Sequence, residues 1–125
     1  MDEASVHQIV AAIQSARREI RWKPGKDIQH MQTRKRHGHL PPEAQLAEYL
    51  AIISAVLSDG QAQLYAYHFG ETVYPAVVSY QSGAVWLVMI APDGTLETAF
   101  VVEELERYLT KTEFEWLGLV REVMP

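Results

Sequence analysis

The chain has 125 residues, of which 48% are hydrophobic and 22% are charged, the balance of an ordinary folded domain. This composition excludes intrinsic disorder, collagen-like repeats and a coiled coil as descriptions of the whole chain. The absence of cysteine excludes disulfides, thiolate metal sites and cysteine nucleophiles. The longest apolar run, 84–91, is too short to span a bilayer, and the acidic start lacks the features of a signal peptide. We therefore expect a single cytoplasmic domain over residues 1–125, with no membrane partner.

The first half of the sequence predicts two amphipathic helices separated by a polar segment. Apolar residues recur at helical spacing through residues 5–22 and again through 43–57. Pro24 and Gly25 end the first helix, because proline and glycine interrupt helical geometry. Residues 26–40 are polar with few apolar anchors, so we expect a loop there that contains a helical turn or two.

The second half of the sequence changes to the period of two that is typical of strands. Four such runs are joined by short connections that each contain glycine, which favours hairpins. The third run is apolar on both faces, and this predicts a central, covered strand. Pro75 predicts an edge position or a bulge for the second strand, since proline cannot donate to a sheet ladder. The predicted strands are 62–68, 72–80, 84–91 and 95–102.

The C-terminal part is acidic and predicts two helical pieces, 103–109 and 112–123. Phe114, Leu117 and Val120 give the second piece an apolar stripe at helical spacing. Together the patterns predict an α+β fold with two N-terminal helices, a four-stranded antiparallel meander sheet and a C-terminal helix. In this class the helices lie on one face or at the ends of the sheet.

Basic residues are concentrated between residues 17 and 39. This segment holds eight of the 11 lysines and arginines and two carboxylates, a net charge of +6, whereas the rest of the chain carries −11. It also contains three of the five histidines. Such segregation creates a local positive field that attracts phosphate although the whole chain has a net charge of −5. The structural alternative is a solvated basic surface, or a clamp onto the chain's own acidic C-terminal part.

Histidine and arginine occur together in residues 30–37, a combination suited to chemistry on phosphate. Cleavage of RNA without a metal needs a base for the 2′-OH proton, an acid for the leaving 5′-oxygen and cations for the charge on the phosphorane. Histidine fills either proton-transfer role, and arginine matches phosphate oxygens. If the segment is helical, His30, Arg34 and His37 share one face. The alternative is an exposed basic loop.

The fourth predicted strand carries one polar residue in an apolar row. Strict alternation predicts that Leu96, Thr98, Phe100 and Val102 share one face of the sheet. One interpretation of Thr98 is a buried hydroxyl that bonds to the backbone. The other is a hydroxyl presented into a cleft, where it contacts phosphate.

His37 and His39, together with His30, are also a potential set of metal ligands. Zinc needs three or four ligands with supporting groups, and Asp27 is the one carboxylate close to them in sequence. Two histidines separated by a single residue are weak evidence for a metal site, so we predict no metal and no cofactor.

The order of helix, His/Arg-rich segment, helix and four strands resembles the barnase–EndoU–colicin–RelE-like group of small ribonucleases, in the versions found in phage proteins and polymorphic toxins. The residues that carry this resemblance are His30 and Arg34 early in the chain and Thr98 in the run 96–100. It covers residues 26–102. The resemblance implies an α+β fold and metal-independent cleavage of RNA, in which attack by the 2′-OH leaves a 2′,3′-cyclic phosphate.

Three functions are consistent with the sequence. The first is an endoribonuclease that uses the His/Arg-rich segment, and the second is a module that binds nucleic acid, an acidic protein partner or an inhibitor without cleavage. The third is a small homo-oligomeric accessory protein. For the ribonuclease, the predicted catalytic residues are His30, Arg34, His37 and Thr98, and the predicted substrate-binding residues are Lys26, Lys35, Arg36 and His39.

Overall fold

The structure is a computed structural model that describes residues 1–111 and 113–125. Its helices in those residues are α1 (Glu3–Arg18), α2 (Lys26–Arg36), α3 (Leu46–Ser58), α4 (Leu105–Leu109) and α5 (Val120–Val123). Its strands there are β1 (Gln63–Phe69), β2 (Thr72–Gln81), β3 (Ala84–Ile90), β4 (Leu96–Val101) and β5 (Phe114–Leu119). The strands form one antiparallel sheet in the order β4-β3-β2-β1-β5. None of the helices in these ranges has the length and apolar character that a bilayer crossing requires.

The predicted α+β class and the antiparallel sheet are both confirmed. α1 and α3 pack together on one face of the sheet, against β2 and β3. Ile13 of α1 and Tyr49 of α3 are fully buried in this core, and burial of an apolar side chain stabilises a fold by about 1.5–3 kcal/mol. β3 lies inside the sheet, with Trp86 and Leu87 buried on opposite faces, as its apolar sequence predicts.

α1 ends earlier than its apolar stripe predicts. The predicted helix runs to residue 22, but Glu19 is extended, with φ −156° and ψ 123°. The chain beyond it lies against β4, where the carbonyl of Arg21 accepts a hydrogen bond from the N–H of Leu96 at 2.8 Å. Trp22 packs against the core from this extended segment. A tertiary backbone bond therefore replaces the last predicted turn of helix.

Residues 26–36 form a regular helix where the sequence predicts a loop with a turn or two. Gly25 precedes it in the left-handed region, with φ 78°. Met31 and Arg34 are the buried residues of α2, which packs on α3 and β4. Because isolated helices of this length are marginal in water, tertiary packing explains why α2 forms without a strong apolar stripe.

α3 begins later than predicted, at Leu46 instead of residue 43. A turn comes first, in which the N–H of Ala44 donates to the carbonyl of Pro41 at 3.0 Å. The proline pair at 41–42 therefore starts a turn, and the helix follows it.

Pro75 does not place β2 at an edge, contrary to the prediction. β2 lies between β1 and β3. Pro75 pairs with Ala66 of β1, whereas the ladder with β3 begins at Ala76. Pro75 thus lies just past the end of the β3 ladder, where that ladder needs no N–H donor from it.

The predicted helix at 112–123 is wrong over most of its length. Its first residue, Thr112, lies outside the described residues, and residues 114–119 form β5, which pairs with β1 at the edge of the sheet. Only the short α5 that follows is helical. Phe114 pairs with Tyr67, and their ring centroids lie 4.7 Å apart. Cross-strand aromatic packing therefore outweighs the helical spacing of the apolar residues.

Candidate functional site

α2 and the turn that follows it cover the outer edge of β4, the last strand on its side of the sheet. The N–H of Val101 donates to Nδ1 of His39 at 3.2 Å. The hydroxyl of Tyr49, from α3, donates to the carbonyl of Ala99 at 2.7 Å. Exposed edge strands invite pairing with other chains, so these bonds protect β4 and fix the end of α2 against it.

The C-terminal end of α2 has the geometry of a Schellman motif. Gly38 is left-handed, with φ 76°, and its N–H donates to the carbonyl of Lys35 at 3.1 Å. The N–H of His39 donates to the carbonyl of Arg34 at 2.9 Å. This pair of bonds ends the helix and folds the chain back on it. His39 is thereby placed beside Arg34, five residues earlier in the sequence.

Arg34 is a buried cation whose charge no described carboxylate neutralises. The residue is 9% exposed, and its Nη1 donates to Nδ1 of His39 at 3.1 Å. Its Cζ lies 5.7 Å from the centroid of the Phe100 ring, within range of a cation–π interaction. Nε has no hydrogen-bond partner among the described residues, and none of the ion pairs found there involves Arg34. Since an uncompensated buried charge is costly, this guanidinium is suited to an external anion.

A groove of about 880 Å³ opens where α2 ends, and Arg34 lies in its wall. We name it the Arg34 groove. α2 and its C-terminal turn form one side, the end of β4 forms the floor, and the segment that contains α4 forms the other side. Its charged, histidine and aromatic lining consists of Arg34, His37, His39, Phe100, Glu103, Glu104, Arg107, Tyr108 and Lys111.

Sequence reasoning missed the wall of the groove that α4 supplies. Residues 103–109 are predicted only as an acidic helix, and α4 is shorter than that, beginning at Leu105. Arg107 pairs with Glu104 at 3.3 Å, and Nζ of Lys111 lies 4.5 Å from the centroid of the Tyr108 ring. The usable signal was the presence of two cations, Arg107 and Lys111, in an otherwise acidic stretch, although Lys111 lies beyond the end of α4.

His30 and Thr98 lie together, as the predicted composite site requires. Thr98 Oγ1 is 3.3 Å from Nδ1 of His30, and the His30 ring centroid is 5.2 Å from that of Trp22. Burial is the main cause that lowers the pKa of His30, with smaller contributions from Arg34 and Lys26. The pair does not line the Arg34 groove but lies beside it on α2 and β4. Its catalytic role stays a prediction.

The predicted apolar row on β4 is wrong, because the strand contains a bulge. Met89 of β3 pairs with Thr98, but its neighbour Ile90 pairs with Leu96. Glu97 is therefore an extra residue, and it breaks the alternation. Leu96 belongs to the core under α1 and α3, while Phe100 packs with the cluster on the opposite face.

The two histidines that line the groove differ in their surroundings. His37 caps the end of α2 and is exposed, with its ring 5.7 Å from that of His39 in an edge-to-face arrangement. The pKa of His39 is lowered, mainly by burial and then by Arg34 and His37, while Glu103 opposes the shift. Among the described residues, no three histidine or carboxylate side chains are grouped so that they could hold a metal ion.

The other predicted substrate-binding residues do not line the groove. Lys26 and Arg36 are exposed, and each bonds to its own helix: Nζ of Lys26 to Gln29 at 3.1 Å, and Nη2 of Arg36 to Thr33 at 3.0 Å. Lys35 is half-buried and also lies outside the groove lining. These three residues contribute to the positive surface of α2, and contact with a substrate stays a prediction.

Two further arginines of the basic segment have structural partners. Nε of Arg17 donates to the carbonyl of Leu57 at 2.6 Å, which satisfies a free carbonyl at the end of α3. Arg21 donates to the carbonyl of Asp93 at 2.8 Å and so holds the turn between β3 and β4. The arginines before α2 therefore have structural roles, whereas α2 carries the basic residues whose role stays a prediction.

No protein-family model, curated protein or solved structure matches this chain. The functional interpretation accordingly depends on the geometry of α2, β4 and the Arg34 groove.

Proposed function

We propose that this chain is a metal-independent endoribonuclease that binds an RNA phosphate in the Arg34 groove. The observation that carries the proposal is the Arg34 guanidinium, which lies in the groove wall with its charge unneutralised by any described carboxylate. A phosphate oxygen supplies the missing negative charge, and arginine offers it planar, charge-assisted hydrogen bonds. The same charge stabilises the phosphorane that forms during cleavage.

Histidines flank Arg34 on both sides along α2, which provides candidates for the two proton transfers. His30 precedes it by about 6 Å of helix rise and His37 follows it by about 4.5 Å. The lowered pKa of His30, caused mainly by burial, favours the neutral ring, the state that a base requires. Thr98 bonds to Nδ1 of this ring and fixes its orientation. We assign as the proton-transfer groups His37, which lines the groove, and His30, which lies beside it, with Thr98 as the residue that orients His30.

A second candidate function is RNA binding without cleavage. The observation that favours it is the aromatic lining, since Phe100 and Tyr108 lie 5.8 Å apart at the groove, with Arg34 and Lys111 over their rings. Cations beside aromatic faces are typical of sites that bind unpaired nucleotides. This candidate shares the phosphate site but requires no proton transfer.

Cleavage of a mixed-sequence RNA in EDTA tests the proposal. The variants are Arg34→Lys, which keeps the charge but loses the planar donors, and Arg34→Gln, which loses the charge. Arg18→Gln is the matched control, because Arg18 is exposed at the end of α1 and lies outside the groove. We expect cleavage to fall by about 100-fold in both Arg34 variants, in line with the loss of a donor to a transition state. Circular dichroism establishes that each variant is folded.

The products distinguish the two candidate functions. Fragments with 2′,3′-cyclic phosphate ends, lost in the Arg34 variants and retained in the control, support the ribonuclease. Intact RNA that still binds wild type and not Arg34→Gln supports the binding module. Folded wild type that neither binds nor cleaves RNA contradicts both.

A further inference from the structure

His39 accepts two hydrogen bonds at a single ring nitrogen. Nη1 of Arg34 lies 3.1 Å from Nδ1, and the backbone nitrogen of Val101 lies 3.2 Å from the same atom. A guanidinium and a peptide N–H are donors and never acceptors. Nδ1 therefore carries no proton, and the ring is neutral with its proton on Nε2.

We propose that His39 is a positioning residue, a neutral acceptor that orients the Arg34 guanidinium and leaves its positive charge for an anionic phosphate. The orienting role follows from the two contacts, whereas the phosphate rests on the proposed function. This assignment differs from the role that the sequence predicts for His39, a contact to substrate.

This arrangement is suited to anion binding because the acceptor, the His39 ring, is neutral. A carboxylate at the same position would orient the guanidinium equally well, but it would form an ion pair and compete with phosphate. Glu104, a carboxylate of the groove, does not take this place, because it is paired with Arg107 at 3.3 Å on the other wall. The charged and titratable groups that face His39 are Arg34, His37 and Glu103.

The backbone fixes this pair before any ligand binds. The N–H of His39 donates to the carbonyl of Arg34 at 2.9 Å, so the two residues are joined by a main-chain bond as well as a side-chain bond. The His39 ring also lies edge-on to Trp86, with centroids 6.3 Å apart, on the core side of β3. The ring is thus held from three directions, and the orientation of Arg34 is set by a rigid part of the fold.

Two substitutions of the same shape separate orientation from charge. Asparagine places a neutral oxygen close to the position of Nδ1, and aspartate places a charged oxygen there. The probe is a fluorescein-labelled single-stranded RNA with every 2′-hydroxyl methylated, which cannot be cleaved by 2′-OH attack. We expect His39→Asn to bind it within about threefold of wild type, and His39→Asp to bind about tenfold or more weakly. Equal binding by His39→Asp and His39→Asn overturns the proposal.

Nitrogen NMR of wild type at pH 7.5 tests the tautomer without any variant. We expect the His39 Nδ1 shift of an unprotonated nitrogen and the Nε2 shift of a protonated one, and a protonated Nδ1 overturns the proposal. If wild type does not bind the methylated RNA, the proposed function fails. The orienting role is then decided by the Arg34 guanidinium protons, which should be protected from exchange in wild type and His39→Asn and exposed in His39→Ala. Equal protection in all three proteins overturns it.

Discussion

The hydroxyl of Thr98 lies 3.3 Å from Nδ1 of His30, although 68 positions separate the two residues in the sequence. The contact exists because α2 packs along the outer edge of β4, the strand that carries Thr98. One turn further along α2, Arg34 enters the groove wall. The packing of a single helix on a single strand therefore places a histidine, a hydroxyl and an unneutralised cation side by side.

Substitution of Thr98 by valine tests the orienting bond to His30. Valine has nearly the same shape but lacks the hydroxyl, so the His30 ring loses the bond at Nδ1. We expect RNA cleavage to fall about tenfold, because a misoriented proton-transfer group is less effective, and stability to change by less than about 1.5 kcal/mol. The control is Thr72→Val, at the start of β2. Equal activity in wild type and Thr98→Val would show that His30 does not need this bond.

Gly38→Ala tests whether the helix end positions the site. Gly38 has φ 76° and open space around it, so an added methyl group costs backbone strain of about 1–2 kcal/mol without a steric clash. We expect the free energy of unfolding to fall by that amount and binding of the methylated RNA to weaken, because His39 depends on this turn. Gly70→Ala is the matched control, with φ 60° in open space between β1 and β2. It should lose similar stability and keep full RNA binding, and equal losses of binding in both variants would contradict the prediction.

Acidification should destabilise the fold through His30 and His39. Their pKa values are lowered mainly by burial, with Arg34 as the next cause in each case. The folded chain therefore binds fewer protons than the unfolded chain, in which a histidine has a pKa of about 6.5. The contribution of these histidines to the free energy of unfolding is therefore fully present above about pH 6.5. It is lost as the pH falls through their lowered pKa values in the folded chain.

Urea unfolding at about pH 7.5 and about pH 5.5 measures this dependence, in a range where free carboxyl groups with pKa values of about 4 stay mostly ionised. His39→Asn should show a smaller loss of stability between the two conditions than wild type. His7→Asn, at an exposed position on α1, is the control and should keep the wild-type dependence. A wild-type stability that is constant or higher at the lower pH would contradict the prediction.

Tyr49→Phe should destabilise the fold by removing a buried hydrogen bond. The hydroxyl donates to the carbonyl of Ala99 at 2.7 Å, and the residue is fully buried, which raises the pKa of its phenol. Loss of the bond leaves a buried carbonyl without this partner, which should lower the free energy of unfolding by about 1–3 kcal/mol. Urea unfolding measures this change. Tyr74→Phe, on β2, is the matched control and should change stability by less than about 0.5 kcal/mol. Equal stability of Tyr49→Phe and wild type would show that this bond does not hold β4.

The sequence predicts those elements whose pattern agrees with their packing. The apolar stripes of α1 and α3 and the alternation of β1 are examples, because each buries one regular face. β5 differs, since its apolar residues are compatible with helical spacing and its pairing with β1, which sets Phe114 opposite Tyr67, makes it a strand. α2 has little apolar content of its own and depends on packing against α3 and β4.

The candidate site was predictable in its residue types and in part of its geometry. If residues 30–37 are helical, His30 and Arg34 share one face of the helix. In the structure His30 contacts Thr98 of β4, and the Arg34 guanidinium lies over the ring of Phe100 of β4. The extra residue Glu97 was not predictable, because no glycine or proline marks the bulge. The bond between Arg34 and His39 was accessible from Gly38, since glycine after a helix signals the left-handed turn that brings these residues together.

The most direct test of the phosphate site is an NMR titration of the folded chain with the uncleavable methylated RNA. We expect the largest shift changes at the Arg34 guanidinium, together with His37 and His39 at the groove. We also expect these changes to weaken as salt is added, because binding of phosphate releases counterions. Changes confined to Lys26 and Arg36 on the outer surface of α2, with none at Arg34, would contradict a phosphate site in the Arg34 groove.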